Sequence, residues 1–184
     1  SLEELLKKIR EESKRNLDET RKLHREDKEE SRKNLEESRK LHEEDRREAE
    51  RVKRRADREV RDEEKLRKLR ELLKRILDKN KKVLDDDKRL NEKILKENEE
   101  RVRDDKETND RIIEEADEAL ERVKDEKLVR EVVERLRELL RESHERSREV
   151  NKRSRDLLRR SHEKSRRLNE ESRRLLEEVE RRVK

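Results

Sequence analysis

The sequence predicts an all-α fold, a long, straight, antiparallel up-down-up bundle of three helices. Three observations support this prediction. The 184-residue chain contains no Gly and no Pro, it has an internal 18-residue repeat, and its periodicity is interrupted at two places. Nearly every residue is a good helix former, whereas Gly and Pro are the residues least compatible with a helix interior. We therefore expect one three-helix domain that covers residues 1–184.

The 18-residue repeat occurs in all three thirds of the chain. The repeated blocks are 13–30 with 31–48, 80–95 with 98–113, and 143–160 with 161–178. One such repeat corresponds to about five turns of an α-helix. A seven-residue repeat imposes a left-handed supercoil and an eleven-residue repeat a right-handed one, but five whole turns impose neither. The repeat therefore predicts straight helices that present the same side chains every five turns.

Two breaks divide the chain into three helices. The apolar periodicity resets after Val60 and again after Val123, and Asp62 and Asp125 are placed to cap the helices that follow. The predicted helices cover residues 2–60, 63–123 and 126–183. Connections this short make consecutive helices antiparallel neighbours.

The breaks also predict the register, because residues equally far from a short connection lie level with each other. This register gathers apolar residues at both ends of the bundle. One end collects Leu2, Leu5, Leu6, Ile9, Ile112, Ile113, Ala116, Ala119, Leu120, Val123, Leu128, Val129, Val132, Val133 and Leu136. The other collects Val52, Ala56, Val60, Leu66, Leu69, Leu72, Leu73, Ile76, Leu176, Val179 and Val183. Leucines expected to pack between and beside the polar residues are Leu17, Leu23, Leu35, Leu41, Leu84, Leu95, Leu157 and Leu175.

Between these ends, the register brings polar side chains together on the inner faces of the helices. The candidate network residues are Ser13, Asn16, His24, Ser31, Asn34, His42, Asn80, Asp87, Asn91, Asn98, Asp105, Asn109, His144, Asn151, His162 and Asn169. The expected neighbours are His144 with Asp105, His162 with Asp87, His24 with Asn98, His42 with Asn80, Ser13 with Asn109, and Ser31 with Asn91. A buried polar group without a partner costs about 1–3 kcal/mol. We therefore expect these groups to satisfy one another and to penalise a slipped register or an added helix.

The histidines raise the possibility of a metal site. His24 lies three residues before Asp27, and His42 lies three residues before Asp45. This spacing occurs in metal sites, but three or four ligands must converge at one level. No second His lies nearby on the same helix, so we predict no metal and no cofactor.

A catalytic triad is a second possibility. Ser143 and Ser147 flank His144, and the register places Asp105 nearby. Acyl transfer also needs an oxyanion hole and a substrate pocket, and the sequence predicts neither. We therefore interpret these residues as a hydrogen-bond network and predict no enzymatic activity.

A pH response is a third possibility. Burial disfavours a charged imidazole, whereas a neighbouring carboxylate favours it. We expect His24 and His42, opposite Asn, to lose stabilising contacts as pH falls. His144 and His162, opposite Asp, are expected to tolerate protonation better.

Composition excludes several classes of function. The chain has no aromatic residue, so it cannot stack on nucleic-acid bases, and its basic residues are spread evenly rather than clustered. It has no Cys and no apolar run of membrane-spanning length, and no signal peptide opens it. Charged residues make up 62%, but their signs are interleaved at helical spacing, which favours helix over disorder. A solvated single-helix spacer would share this composition but leaves the apolar ends and capped breaks unexplained.

The chain combines near-exact repeats, no Gly, Pro or aromatic residues, Glu/Lys/Arg surfaces and Asp-Glu connections. In this combination it resembles de novo designed helical bundles with buried hydrogen-bond networks. The resemblance covers the whole chain. It implies a structural scaffold that has no natural biochemical activity and requires no partner. Such designs usually carry more apolar core, and many are homo-oligomers. The alternative function is therefore a self-associating or partner-binding helical module, pH-responsive through its histidines. The sequence does not indicate a cellular location.

Overall fold

The computed structural model describes residues 1–184 and shows an all-α three-helix bundle without strands. The helices are α1 (Leu2–Glu59), α2 (Glu63–Arg122) and α3 (Glu126–Val183), of 58, 60 and 58 residues. The predicted helix bounds agree to within one residue.

Aspartate side chains cap the second and third helices. The Oδ1 atom of Asp62 accepts hydrogen bonds from the backbone N–H groups of Glu64 and Lys65, at 3.0 and 3.3 Å. Asp125 accepts one from the N–H of Lys127 at 3.0 Å. Both predicted N-caps are confirmed, and each satisfies backbone donors that have no partner within the helix.

The chain falls into two compact units, and each contains one segment of each helix. Unit 1 consists of Ser1–Glu29 and Ile94–Asp156, and unit 2 of Glu30–Lys93 and Leu157–Lys184. The grouping of all 184 residues into one domain remains a prediction.

Ion pairs between α1 and α3 show that these two helices run parallel in each unit. In unit 1, Glu19 pairs with Arg148 at 3.2 Å and Glu26 with Arg155 at 2.8 Å, and both pairs join residues 129 apart in sequence. The same separation recurs in unit 2 for Glu37 with Arg166 and for Glu44 with Arg173. These side chains are largely exposed, so each pair contributes at most about 1 kcal/mol. Their constant separation marks one register of α1 against α3 within each unit.

Each unit contains one of the two predicted apolar clusters. In unit 1 the buried members are Leu6, Ile9, Ile112, Ala116, Val129, Val133, Leu136 and Leu140. In unit 2 they are Ala49, Val52, Ala56, Val60, Leu69, Leu73, Ile76, Leu176, Val179 and Val183. Burial of these side chains is a main source of stability, at about 25 cal/mol for each Å² of apolar surface removed from water.

The packing of Leu175 differs from the prediction. Its side chain is 39% exposed, whereas the other seven leucines expected beside the polar residues are half-buried. Its neighbour Leu176 is buried, and one residue rotates the side-chain direction by about 100° around the helix, so the two side chains do not face the core equally.

Two members of the predicted apolar end of unit 1 are also exposed. Leu120 and Leu128 lie in the last turn of α2 and the first turn of α3, where a side chain has few neighbours to pack against. Conversely, four buried apolar residues are absent from the predicted apolar ends. They are Ile94 and Leu140 in unit 1, and Ala49 and Leu158 in unit 2.

Candidate functional site

Two kinds of polar layer cross the inner faces of the helices, and each unit has one of each kind. The aspartate–asparagine layer is Asp27, Asn98, Asn151 and Ser154 in unit 1, and Asp45, Asn80, Asn169 and Ser172 in unit 2. The serine–aspartate layer is Ser13, Asp105, Asn109 and Ser143 in unit 1, and Ser31, Asp87, Asn91 and Ser161 in unit 2. All of these side chains are buried or half-buried. Corresponding members lie one repeat apart in the sequence, so each layer occurs as two copies.

The aspartate–asparagine layer of unit 2 is a connected network over three helices. Asn80 Nδ2 donates to Asp45 Oδ2 at 2.8 Å, and Asn169 Nδ2 donates to Asp45 Oδ1 at 2.8 Å. Ser172 Oγ donates to Asn80 Oδ1 at 2.8 Å. Asn80 therefore bridges a carboxylate on α1 and a hydroxyl on α3, and both oxygens of Asp45 are satisfied.

The unit 1 copy of this layer is less completely bonded. Asn98 Nδ2 donates to Asp27 Oδ2 at 2.9 Å, and Ser154 Oγ lies 3.3 Å from Asn98 Oδ1. Asn151 Nδ2 donates to the backbone carbonyl of Leu23 at 3.3 Å. The Oδ1 atom of Asp27 accepts no hydrogen bond but lies 3.6 Å from the Nε atom of Arg155. An ion pair therefore stands where Asn169 donates a hydrogen bond to Asp45 in unit 2.

The serine–aspartate layer of unit 2 is centred on Asp87. Ser161 Oγ donates to Asp87 Oδ1, and Asn91 Nδ2 donates to the backbone carbonyl of Asp87 at 2.7 Å. Ser31 Oγ donates to Asn91 Oδ1 at 2.6 Å. The structure thus brings Ser31 and Asn91 together, as the register predicts.

The unit 1 copy of this layer uses partly different bonds. Ser143 Oγ donates to Asp105 Oδ1 at 3.1 Å, which corresponds to the Ser161–Asp87 bond. Asn109 Nδ2, however, donates to the backbone carbonyl of Ser13 at 3.1 Å rather than to the serine hydroxyl. The predicted neighbours Ser13 and Asn109 are therefore joined by a hydrogen bond from a side chain to a backbone carbonyl. Asn16 is half-buried, and its backbone carbonyl accepts a bond from Thr20.

The repeat is broken at one position of the network. Residue 101 is Arg, whereas residue 83, its counterpart one repeat earlier, is Val. The Arg101 guanidinium donates to the hydroxyls of Ser147 and Ser143 at 2.8 and 2.9 Å, and lies 3.8 Å from Asp105 Oδ1. A cation therefore supports the carboxylate in unit 1 but not in unit 2.

His144 and His162 contact different carboxylates from those expected. His144 Nε2 lies 3.0 Å from an oxygen of Glu19, and His162 Nε2 lies 3.4 Å from one of Glu37. His162 Nδ1 also lies 3.0 Å from Asn34 Oδ1. The expected partners Asp105 and Asp87 instead accept bonds from the serines that precede the two histidines. The serine side chain faces α2, and the next residue along α3 is rotated toward α1.

His24 and His42 also lack the asparagine bonds expected for them. Asn98 and Asn80 donate to Asp27 and Asp45 instead. The Nδ1 atoms of both histidines are buried without a hydrogen-bond partner. Burial is the largest cause that lowers the pKa of each of these histidines.

The pKa values of the aspartates in the aspartate–asparagine layers shift in the opposite direction. Burial raises the pKa of Asp27 and of Asp45 to about 6, from an ordinary value of 3.8. Bonds from Asn98 and Asn80, and the charges of Arg155 and Arg173, oppose that shift. Each layer therefore holds a carboxylate whose charged form is disfavoured, close in sequence to a histidine with the same property.

This arrangement predicts opposite pH responses for two double variants. Between pH 7 and pH 5, Asp27→Asn with Asp45→Asn is expected to lose stability, since the remaining His24 and His42 bind protons more readily when unfolded. His24→Gln with His42→Gln is expected to gain stability over the same interval, because both aspartates bind protons more readily when folded. This gain in stability is expected as pH falls between about pH 6 and pH 3.8, the folded and ordinary pKa values of the two aspartates. Urea unfolding at several pH values measures both slopes, and slopes of equal sign would contradict the assignment.

Several network residues were missing from the sequence prediction. They are Asp27, Asp45, Ser154, Ser161, Ser172 and Arg101. The signal for the first five is the 18-residue recurrence itself, since each has an identical residue at the corresponding position. Arg101 carries no such signal, because it is the position at which the repeat fails.

Neither a metal site nor a membrane-spanning segment accompanies the polar layers. No group of three or more His, Asp or Glu side chains is placed to hold a metal ion. None of the three helices has an apolar stretch of the length that a membrane crossing needs. Comparisons with protein-family models, curated proteins and solved structures find no significant match. The polar layers are therefore the feature of this chain that bears most on its function.

Proposed function

We propose that this chain is a designed structural scaffold with no biochemical activity of its own, in which the polar layers specify helix register and number. One observation supports this most: the polar layers and the apolar clusters use the same positions. Ile9 corresponds to Asp27 and Asp45, and Ala116 corresponds to Asn98 and Asn80, at successive steps of one repeat. Apolar residues at these positions form a core, so the polar ones serve another purpose than filling space.

Hydrogen bonds supply the specificity that apolar contacts lack. A Leu packs against many neighbours, but Asn80 needs an acceptor on one helix and a donor on another at set distances. A fourth helix, or a shift by one turn, leaves the buried amide and carboxylate unpaired at a cost of about 1–3 kcal/mol per group. This directional demand favours one helix number and one local register.

The scaffold proposal predicts one monomeric species with intramolecular helix contacts. Light scattering is expected to give 22.9 kDa at all concentrations. The chain has no Cys, so a Glu26→Cys, Arg155→Cys variant is expected to close within one chain when treated with a short bifunctional thiol reagent.

The matched control places the second cysteine at Arg148, seven residues earlier on α3. That position is about 10 Å farther along the helix, beyond the reach of the reagent. The two variants are expected to differ by at least tenfold in intramolecular product. Equal yields, or products that join two chains, would contradict the proposal.

A second candidate function, self-association, is supported by one apolar groove in unit 2. Leu72, Ile76, Leu175 and Val179 line a groove of about 320 Å³ between α2 and α3. The side chain of Leu175 is 39% exposed there. A mass that rises with concentration and returns to 22.9 kDa in a Leu175→Glu variant would support this candidate over the monomeric scaffold.

A further inference from the structure

Unit 2 contains a small cavity, partly open to solvent, beside its aspartate–asparagine layer. It offers about 20 Å³ of space for the centre of a water molecule. Its lining is Ser38, Leu41, His42, Asp45, Asn80, Val83, Leu84, Ser165, Leu168 and Asn169. A single water needs about 10–15 Å³ of such space and two to four polar partners. The cavity therefore has the size for one water molecule.

Three polar groups on the lining residues have unused hydrogen-bonding capacity. His42 Nδ1 is buried and has no partner. Ser165 Oγ accepts a bond from Ser38 at 3.2 Å, but its own hydroxyl proton has no acceptor. Asn169 donates through Nδ2 to Asp45, and its Oδ1 accepts no bond. One ring nitrogen, one hydroxyl and one amide oxygen together match the donor and acceptor pattern of water.

The corresponding positions of unit 1 explain why the cavity is in unit 2. Ser147 is the counterpart of Ser165, and the Arg101 guanidinium donates to it at 2.8 Å. The counterpart of Arg101 in unit 2 is Val83, whose short side chain lines the cavity and offers no polar group. The serine that binds a guanidinium in unit 1 thus lines the cavity in unit 2.

We propose that this cavity is a specific binding site for one water molecule, held by His42, Ser165 and Asn169, and that the Val83 position creates it. The water accepts the Ser165 hydroxyl proton, whereas in unit 1 the Arg101 guanidinium donates to the counterpart Ser147. Hydration is then one more difference between the two copies of the network. It also completes the bonding of His42, whose unit 1 counterpart is His24.

The test is water–protein cross-relaxation by NMR, observed at the His42 ring. The unmodified protein is expected to show water cross-peaks at His42 of the sign given by a long-lived bound molecule. Val83→Leu adds one methylene to the cavity and is expected to reduce them by at least fivefold. Val83→Ala enlarges the cavity and is expected to retain them.

Two results would overturn the proposal. One is the lack of bound-water cross-peaks at His42 in the folded, unmodified protein. The other is equal cross-peak intensity in the Val83→Leu and Val83→Ala variants, which would show that the cavity is not the site. Circular dichroism confirms that each variant is folded, and the measurement on the unmodified chain stands even if one variant unfolds.

Discussion

An Asn80→Ala variant is expected to lose about 2–4 kcal/mol of unfolding free energy, because it leaves two buried partners unsatisfied. Asn80 is 3% exposed, and its amide bonds Asp45 and Ser172, both at 2.8 Å. Removal of the amide strands a buried carboxylate oxygen and a buried hydroxyl, and also leaves a small cavity. Urea unfolding followed by circular dichroism measures the loss.

Two matched variants sharpen this prediction. Lys82→Ala changes an exposed residue on the same helix and is expected to stay within about 0.5 kcal/mol of the parent. Asn98→Ala removes the unit 1 counterpart and is expected to cost less than Asn80→Ala. The reason is that Ser154 also donates to the Val150 carbonyl at 2.9 Å and keeps that bond. If Asn80→Ala behaves like Lys82→Ala, the layer contributes nothing to the fold.

Replacement of the whole layer is expected to have the opposite effect. The combined variant Asp45→Ile, Asn80→Ala, Asn169→Val, Ser172→Leu copies the residues Ile9, Ala116, Val133 and Leu136 of the unit 1 apolar cluster into the corresponding positions of unit 2. No member of the layer is left without its partner, because all four are replaced together, and about 1–4 kcal/mol of added stability is expected from removal of a buried charged network. The same urea unfolding experiment measures the gain.

This replacement is expected to reduce the specificity for three helices rather than the stability of the fold. Light scattering on the combined variant is expected to show masses above 22.9 kDa at high concentration, because apolar positions tolerate additional helices. Asp45→Asn alone is the control that keeps the hydrogen-bonding shape while removing the charge. A combined variant that is less stable than the parent, yet folded, would show that the polar layers stabilise the chain outright.

The helices, caps and apolar clusters could be predicted from the sequence because they depend on short-range rules. Asp62 and Asp125 cap helices by local geometry, and the apolar clusters follow from equal distances to a connection. The levels of the polar residues were predictable in the same way. An 18-residue period returns the helix to its starting direction, so it identifies which residues share a level.

Apart from the Ser31–Asn91 pair, the side-chain hydrogen-bond partners at each level could not be predicted in the same way. Ser143 and His144 are neighbours in sequence, yet one bonds Asp105 on α2 and the other contacts Glu19 on α1. The choice depends on side-chain direction around the helix and on which of several acceptors lies within hydrogen-bonding distance. Arg101 was unpredictable for a different reason: among so many arginines, nothing in the pattern marks one that turns inward.

The two copies of each layer also determine which displacements of a helix along its axis the layers discriminate poorly. A helix displaced by one turn meets the wrong partners throughout, whereas a helix displaced by one full repeat brings one copy of a layer against equivalent partners. For that copy the network is degenerate with respect to translation by one period, but the other copy then faces apolar positions such as Ala116. Within the chain, the connections at residues 60–62 and 123–125 remove that degeneracy, because they are too short to permit such a displacement. Three separate peptides with these helix sequences would depend on the apolar clusters and on the second polar copy to select one alignment.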